Sequence, residues 1–227
     1  MIPSCCLPTY NLSMCGSKCR NLNHELLVAT RNRGKLDELV NLLQGTRYDL
    51  LSLENVNIQD EVEETGDTFE ENAILKAEEY GQMAGIVTIA DDSGIEVDAL
   101  DGAPGVLSAR YGGEELDDQD RNALLLKNLA NLPDSKLTAR FRCVVALSRP
   151  NQETVTFNGS VEGFITRKPR GTNGFGYDPL FYFPQRRKTL AQIPAEEKHS
   201  ISHRGKAVRK AVHYLRQMAQ GFGEIPS

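Results

Sequence analysis

ELLVATRNRGKLDELVNLLQGTRYDLLSL, residues 25–53, decides the fold class. It starts with ELLVAT (25–30), an apolar run of strand length. Leu36, Leu39, Val40, Leu42 and Leu43 then recur at helical spacing, and Gly45 supplies a stop. YDLLSL (48–53) returns to a strand pattern. Strand, helix and strand in direct succession are a β-α-β opening, which requires a sheet with helices packed on it.

The rest of the chain extends that pattern. The acidic segment QDEVEETGD (59–67) reads as a loop. Thr68 and Glu71 form a capping-box pattern for a helix running to about Met83, with Phe69, Ala73, Ala77, Tyr80 and Ala84 as its buried stripe. GIVTIA (85–90) reads as a strand that delivers Asp91 and Asp92, then a Ser93-Gly94 turn, then a second short strand, GIEVDAL (94–100). DGAPGVLSARYGG (101–113) is turn-rich, and 117–131 reads as a helix. LTARFRCVVALSR (137–149) and TVTFNGSVEGFIT (154–166) read as long antiparallel neighbours. A Gly/Pro loop (167–181) and a last helix from Ser202 to Met218 complete a mixed α/β chain with one elongated central sheet and flanking helices.

Bulk properties narrow the function classes. At 227 residues and 40% hydrophobic content, one domain has enough chain for a real core. No apolar run reaches the roughly 18 residues of a membrane span. A net charge of −5 argues against a nucleic-acid partner, so an anionic ligand needs a local cluster of Lys and Arg. Residues 1–23 hold four of the five cysteines and no Asp or Glu, with no apolar core for a signal peptide. They read as a flexible tail, one version of which places it upstream of a native start at Met14 or later, with zinc or redox use as the alternative. Residues 24–227 then form the working domain. Cys143 alone remains there, which fits a reducing, cytoplasmic compartment.

Five segments could carry chemistry. In TRNRGK, Thr30, Asn32 and Lys35 stand at a strand-to-helix turn, where free N–H groups attract anions; an ordinary capped helix is the plainer reading. Asn72 and Lys76 share one helix face, and Lys76 is either snorkelling or functional. Asp92 stands just beyond a strand end, as ligand-binding residues do in open α/β sheets, or else belongs to an acidic turn. GTNGFGYDP combines Gly171, Gly174 and Gly176 with two aromatic rings, suited to a planar base or to plain loop packing. His203 and Arg204 open a helix, where cations oppose the dipole unless an anion or an aromatic ligand lies near.

The order of these segments is more specific than any one of them. T-x-N-x-x-K, E-E-T-G-x-T-F-x-E-N-A-x-x-K-A, A-D-D-S-G-x-x-V-D-A-L-x-G-x-P-G-x-x-S-A-R-Y, G-F-G-Y-D-P and E-K-x-x-I-S-H-R-G-x-A together resemble the inosine triphosphatase, or Ham1-like, family over about residues 25–218. Arg31 stands where Gly or His is commoner. The resemblance implies two lobes around a substrate cleft, a homodimer, and Mg²⁺-dependent hydrolysis of ITP, dITP and XTP to the monophosphate and pyrophosphate. It implies that the Thr30–Lys35 segment (Thr30, Arg31, Asn32, Arg33, Gly34, Lys35) holds the triphosphate, with Lys76 reaching it from the facing helix. Glu63 or Glu64, with Asp92, would hold Mg²⁺, and Asp92 would be the general base. Ser93, Phe175, Gly176, Tyr177, Asp178, Lys198, His203 and Arg204 would contact substrate.

Base choice follows as an expectation. A cationic donor such as Lys198 near the 6-position would favour a 6-oxo group over the amino group of adenine, and one such as Arg204 near the 2-position would disfavour guanine, with the pairing of residue and edge left open by the sequence. A Maf-like pyrophosphatase and a non-catalytic nucleotide binder are the rivals. The SHR and FGYDP segments oppose the first; Asp92, which a mere binder does not need, opposes the second.

Overall fold

The structure, a computed structural model, describes residues 24–221. The expected tail, residues 1–23, lies outside them. One seven-stranded sheet runs in the order β2-β1-β3-β4-β5-β6-β7. Its strands are β1 Glu25–Val28, β2 Asp49–Ser52, β3 Val87–Val97, β4 Thr138–Ser148, β5 Val155–Ile165, β6 Phe181–Phe183 and β7 Lys188–Thr189. The helices are α1 Arg33–Leu43, α2 Phe69–Ala84, α3 Asp118–Asn128, α4 Ala195–Ile201 and α5 His203–Gly221. β1 lies parallel to both β2 and β3, and every later pairing is antiparallel.

Local signals explain the helix limits. Asn32 caps α1, its side chain accepting from Lys35 N at 3.0 Å. The Thr68–Glu71 capping box closes reciprocally at the start of α2, and Gly85 ends that helix at φ 68°. Strand alternation then assigns each face its helix. Leu27, Ala29, Ala90, Val144 and Ala146 pack on the Phe69, Ala73, Ala77 and Tyr80 stripe of α2. Leu26, Val28, Ile89, Cys143 and Val145 pack on α1 and α5. Further along β3, β4 and β5, a third core joins Ile95, Phe141 and Val161 to Leu125 of α3 and to Tyr177 and Leu180. The cores share the long strands, and a cleft lined by Ser93, Phe141, Phe175 and Tyr177 opens beside the third.

One expectation is corrected here. β3 is continuous, so Asp91 and Asp92 do not lie beyond a strand end and Ser93-Gly94 is not a turn. All four pair with β4, in register with Val145, Val144, Cys143 and Arg142. The Gly at 94 mimics a break for another reason. An added Cβ there would strike Ser108 Oγ and the Gly105 carbonyl, so backbone packs directly against backbone. β1 pairs with β3 only as far as Ile89. Past that point no described strand pairs with that edge of β3, and Lys35 from the start of α1 comes close to Asp91 and Asp92.

Candidate active site

Continuity of β3 resolves how two adjacent carboxylates coexist. Successive side chains point to opposite faces, so each acid meets its own partners. Asp92, on the α2 face, accepts from Lys76 Nζ at 3.3 Å and from Asn72 Nδ2 at 3.4 Å. Asp91, on the α5 face, accepts from Arg204 Nε and from Ser93 Oγ, each at 3.1 Å. Lys35 reaches round the end of β1 and stands 3.6 Å from Asp91 and 3.8 Å from Asp92. It is the cation that both faces share.

The α2 side gathers the hard-oxygen groups. Lys76 donates to Glu64, and Arg110 reaches the other oxygen of that carboxylate at 3.3 Å. Of the two acids left open by the sequence, Glu64 faces the site and Glu63 is exposed. Burial opposes the charge on Lys76, but Asp92 and Glu64 overcome it and hold the ammonium above its ordinary value. Burial lifts Asp92 above the usual aspartate value; Glu64 and Asp91 add to that, against the pull of Lys76 and Lys35. For Asp91, burial is outweighed by Lys35 and Arg204, and its carboxyl lies well below the usual range.

On the other side of Lys35 a cavity of about 150 Å³ opens, lined by Asn32, Ser93, Tyr177 and His203 among others. Phe175 stands over it, with Lys198 Nζ 5.1 Å and Arg204 Cζ 5.6 Å from its ring centroid. The ring also rests on Gly34, where an added Cβ would come within 2.6 Å of it. Lys198 donates to Glu38 at 2.8 Å and also to Asp178; Arg204 donates to Glu38 as well. Burial works against the Glu38 charge, yet Arg204 and Lys198 pull its pKa down to about 2. The anion expected beside Arg204 is thus supplied by the protein itself, as Glu38 and Asp91. His203 stacks on Phe141 at 4.6 Å, and its Nδ1 has no partner among the described residues.

The remaining Thr30–Lys35 residues are placed less centrally. Thr30 Oγ1 accepts from Asn32 N at 3.3 Å, and Arg33 is exposed. Arg31 turns away from the cleft and donates to the Asp60 carbonyl at 2.7 Å. Sequence reading missed Glu38, although it follows Lys35 by three residues on the same helix face. It also assigned no role to Arg110, inside the quoted S-A-R-Y. A roomier concavity of about 900 Å³ between β5 and α5 contains none of the expected site residues.

A sequence model of the Ham1 family matches residues 26–214. The chain belongs to the Ham1 family. Relatives that carry the name dITP/XTP pyrophosphatase include two from Bacillus. That of Bacillus licheniformis is 49% identical, covering 85% of this chain and 98% of its own length. That of Bacillus subtilis is 47% identical, covering 82% and 94%. The Ham1 protein of Staphylococcus aureus superposes with a TM-score of 0.77 at 42% identity, covering 86% of this chain and 99% of that one. The Ham1 match spans every residue of the site just described, from Thr30 to Arg204.

Proposed function

We propose that this Ham1-family chain is a nucleoside triphosphate pyrophosphatase that hydrolyses deaminated purine nucleotides, ITP, dITP and XTP, to the monophosphate and pyrophosphate. The supporting observation is the position of Lys35. It touches both acids of β3 and borders the cavity under Phe175, so phosphate-binding charge and base pocket adjoin. A triphosphate carries about four negative charges at neutral pH, which Lys35 and Lys76 offset within a chain of net charge −5.

The residues suit Mg²⁺. Among the described residues no group of three or more His, Cys, Asp or Glu could hold a metal alone. Mg²⁺ is commonly held by one or two carboxylates completed by substrate phosphates, and Asp92 and Glu64 meet at Lys76 as such a pair. The rise in Asp92, partly from its acidic neighbours, is negative charge that a cation would relieve. Mg²⁺ bound there would polarise the α-phosphate and neutralise charge on the departing pyrophosphate. Asp92 itself orients the attacking water and takes its proton. Lys76 and Lys35 favour the ionised form of that carboxylate, against burial, and steady the phosphates.

On the base side, Lys198 keeps one of its three donors after Glu38 and Asp178, free for a 6-oxo acceptor. Arg204, committed to Asp91, Glu38 and Ser93, retains two of its five. A homodimer and a cytoplasmic location belong to the same reading. The family resemblance supports the first, and the free thiol of Cys143 supports the second. No described helix is long and apolar enough to cross a membrane.

A panel of nucleoside triphosphates with and without Mg²⁺, scored for pyrophosphate and monophosphate, tests the activity. ITP, dITP and XTP should turn over with Mg²⁺, and ATP and GTP poorly; phosphate release or an ATP preference defeats the reading. Asp92→Asn should lose about 10²–10⁴ in kcat while still binding ITP. Full activity in that variant would remove Asp92 from the mechanism.

A further inference from the structure

The loop that carries Phe175 is gripped from an element no motif pointed to. Asp118 and Asn122 open α3 four residues apart, which places them on one helix face. Asp118 Oδ2 accepts from the Gly176 N–H at 2.7 Å, and Asn122 Nδ2 donates to the Gly176 carbonyl at 3.0 Å. Both polar backbone groups of one residue are thus held by two side chains of one helix turn. Gly176 has φ 61°, in the left-handed region, so the backbone reverses at the point of attachment.

The rest of the turn is anchored on its far side. Phe175 N donates to Asp178 Oδ2 at 3.0 Å, and Asp178 is held by Lys198. The Tyr177 hydroxyl donates to the Ser108 carbonyl at 2.9 Å. Phe175, between these anchors and Gly176, has its ring set by both. We propose that Asp118 and Asn122 are positioning residues for base binding: by fixing Gly176 they fix the Phe175 ring over the purine pocket. This rests on the pyrophosphatase reading of that pocket. Asp118 also borders the cavity, and among the described residues neither shares a hydrogen bond or ion pair with Lys35, Lys76, Glu64 or Asp92, so their effect belongs to base affinity and not to the hydrolytic step.

The experiment compares Asp118→Ala, Asp118→Asn and Asn122→Leu with the unaltered chain. Asp118 is largely exposed at the surface, so its variants fold even where the buried Asn122→Leu does not. Amide hydrogen exchange over residues 174–178 is measured without nucleotide. Steady-state ITP hydrolysis is measured beside inhibition by inorganic tripolyphosphate, which has phosphates and no base. Asp118→Ala and Asn122→Leu should exchange faster at Gly176. They should raise KM for ITP by about five- to tenfold, the worth of one hydrogen bond, with kcat within about twofold and the tripolyphosphate inhibition constant unchanged. Asp118→Asn, which keeps an acceptor, should stay near the unaltered chain. Unchanged exchange at Gly176, KM and inhibition constant rising together, or kcat falling alone each overturn the proposal. A wild-type chain inert toward ITP defeats the pyrophosphatase reading instead, and the exchange measurement still decides whether the grip exists.

Discussion

His203 shows how far a single side chain departs from its solution behaviour. Burial, and then the Arg204 guanidinium beside it, drive its pKa well below the ordinary histidine value; Glu38 and Asp91 pull the other way and Lys198 reinforces the drop. The folded imidazole is therefore neutral where the unfolded one takes a proton, below about pH 6.5. The unfolded state binds more protons there, so stability falls as pH falls, by up to about 1.4 kcal/mol per unit. Glu38, depressed to about 2, contributes stability present above the ordinary glutamate value and lost only at lower pH. Asp92 and Asp178, both raised by burial, act with the opposite sign as pH falls, so the histidine is read as the difference between two chains over pH 7 to pH 5. Urea midpoints should fall across that interval in the natural chain and fall less in His203→Phe, which keeps a ring against Phe141 but cannot titrate. Equal slopes would mean that His203 is not buried as a neutral ring.

Elements fix the site because helices press unusually close to the sheet. At Gly159 of β5 an added Cβ would strike the His203 carbonyl and come within 2.8 Å of Ala207 N, so α5 lies flush on the strand. Gly159→Ala must lift the start of α5, which carries His203 and Arg204. The expected cost is about 1–3 kcal/mol in denaturant stability, together with a raised KM for ITP as Arg204 shifts. A variant with an unaltered midpoint and KM would show that α5 has slack at this crossing. The same scale explains what the sequence disclosed. The capping box at Thr68 and the period of Leu36–Leu43 are local signals, and those helices stand where periodicity put them. β3 was misread because Asp91, Asp92, Ser93 and Gly94 interrupt its apolar run, and pairing with β4 is a long-range fact. Glu38, Asp118 and Asn122 escaped notice for a related reason. Each is an ordinary polar residue on a helix until the partner strand or loop is placed opposite it. β6, β7 and α4 were too short to show a period, although Pro194 followed by two glutamates was a helix-start signal.

At the scale of the molecule, the sheet is the part that cannot be shortened. β4 and β5 each run 11 residues and contribute to more than one core, so the cores are built on common strands. Glu25 already pairs with Asp49, the Ham1 match begins at residue 26, and the site residues run from Thr30 to Arg204. Removing residues 1–23 therefore leaves in the chain every described residue of the sheet, the cores and the site. It also removes four of the five cysteines. The shortened chain should keep kcat and KM for ITP within about twofold, because no mechanism for a larger loss lies within the sheet or site. Its activity should also be indifferent to added zinc chelators and reductants. If the shortened chain loses activity, the segment contributes to the Ham1 domain; if only the full chain responds to chelation or reduction, that contribution is a metal or redox role.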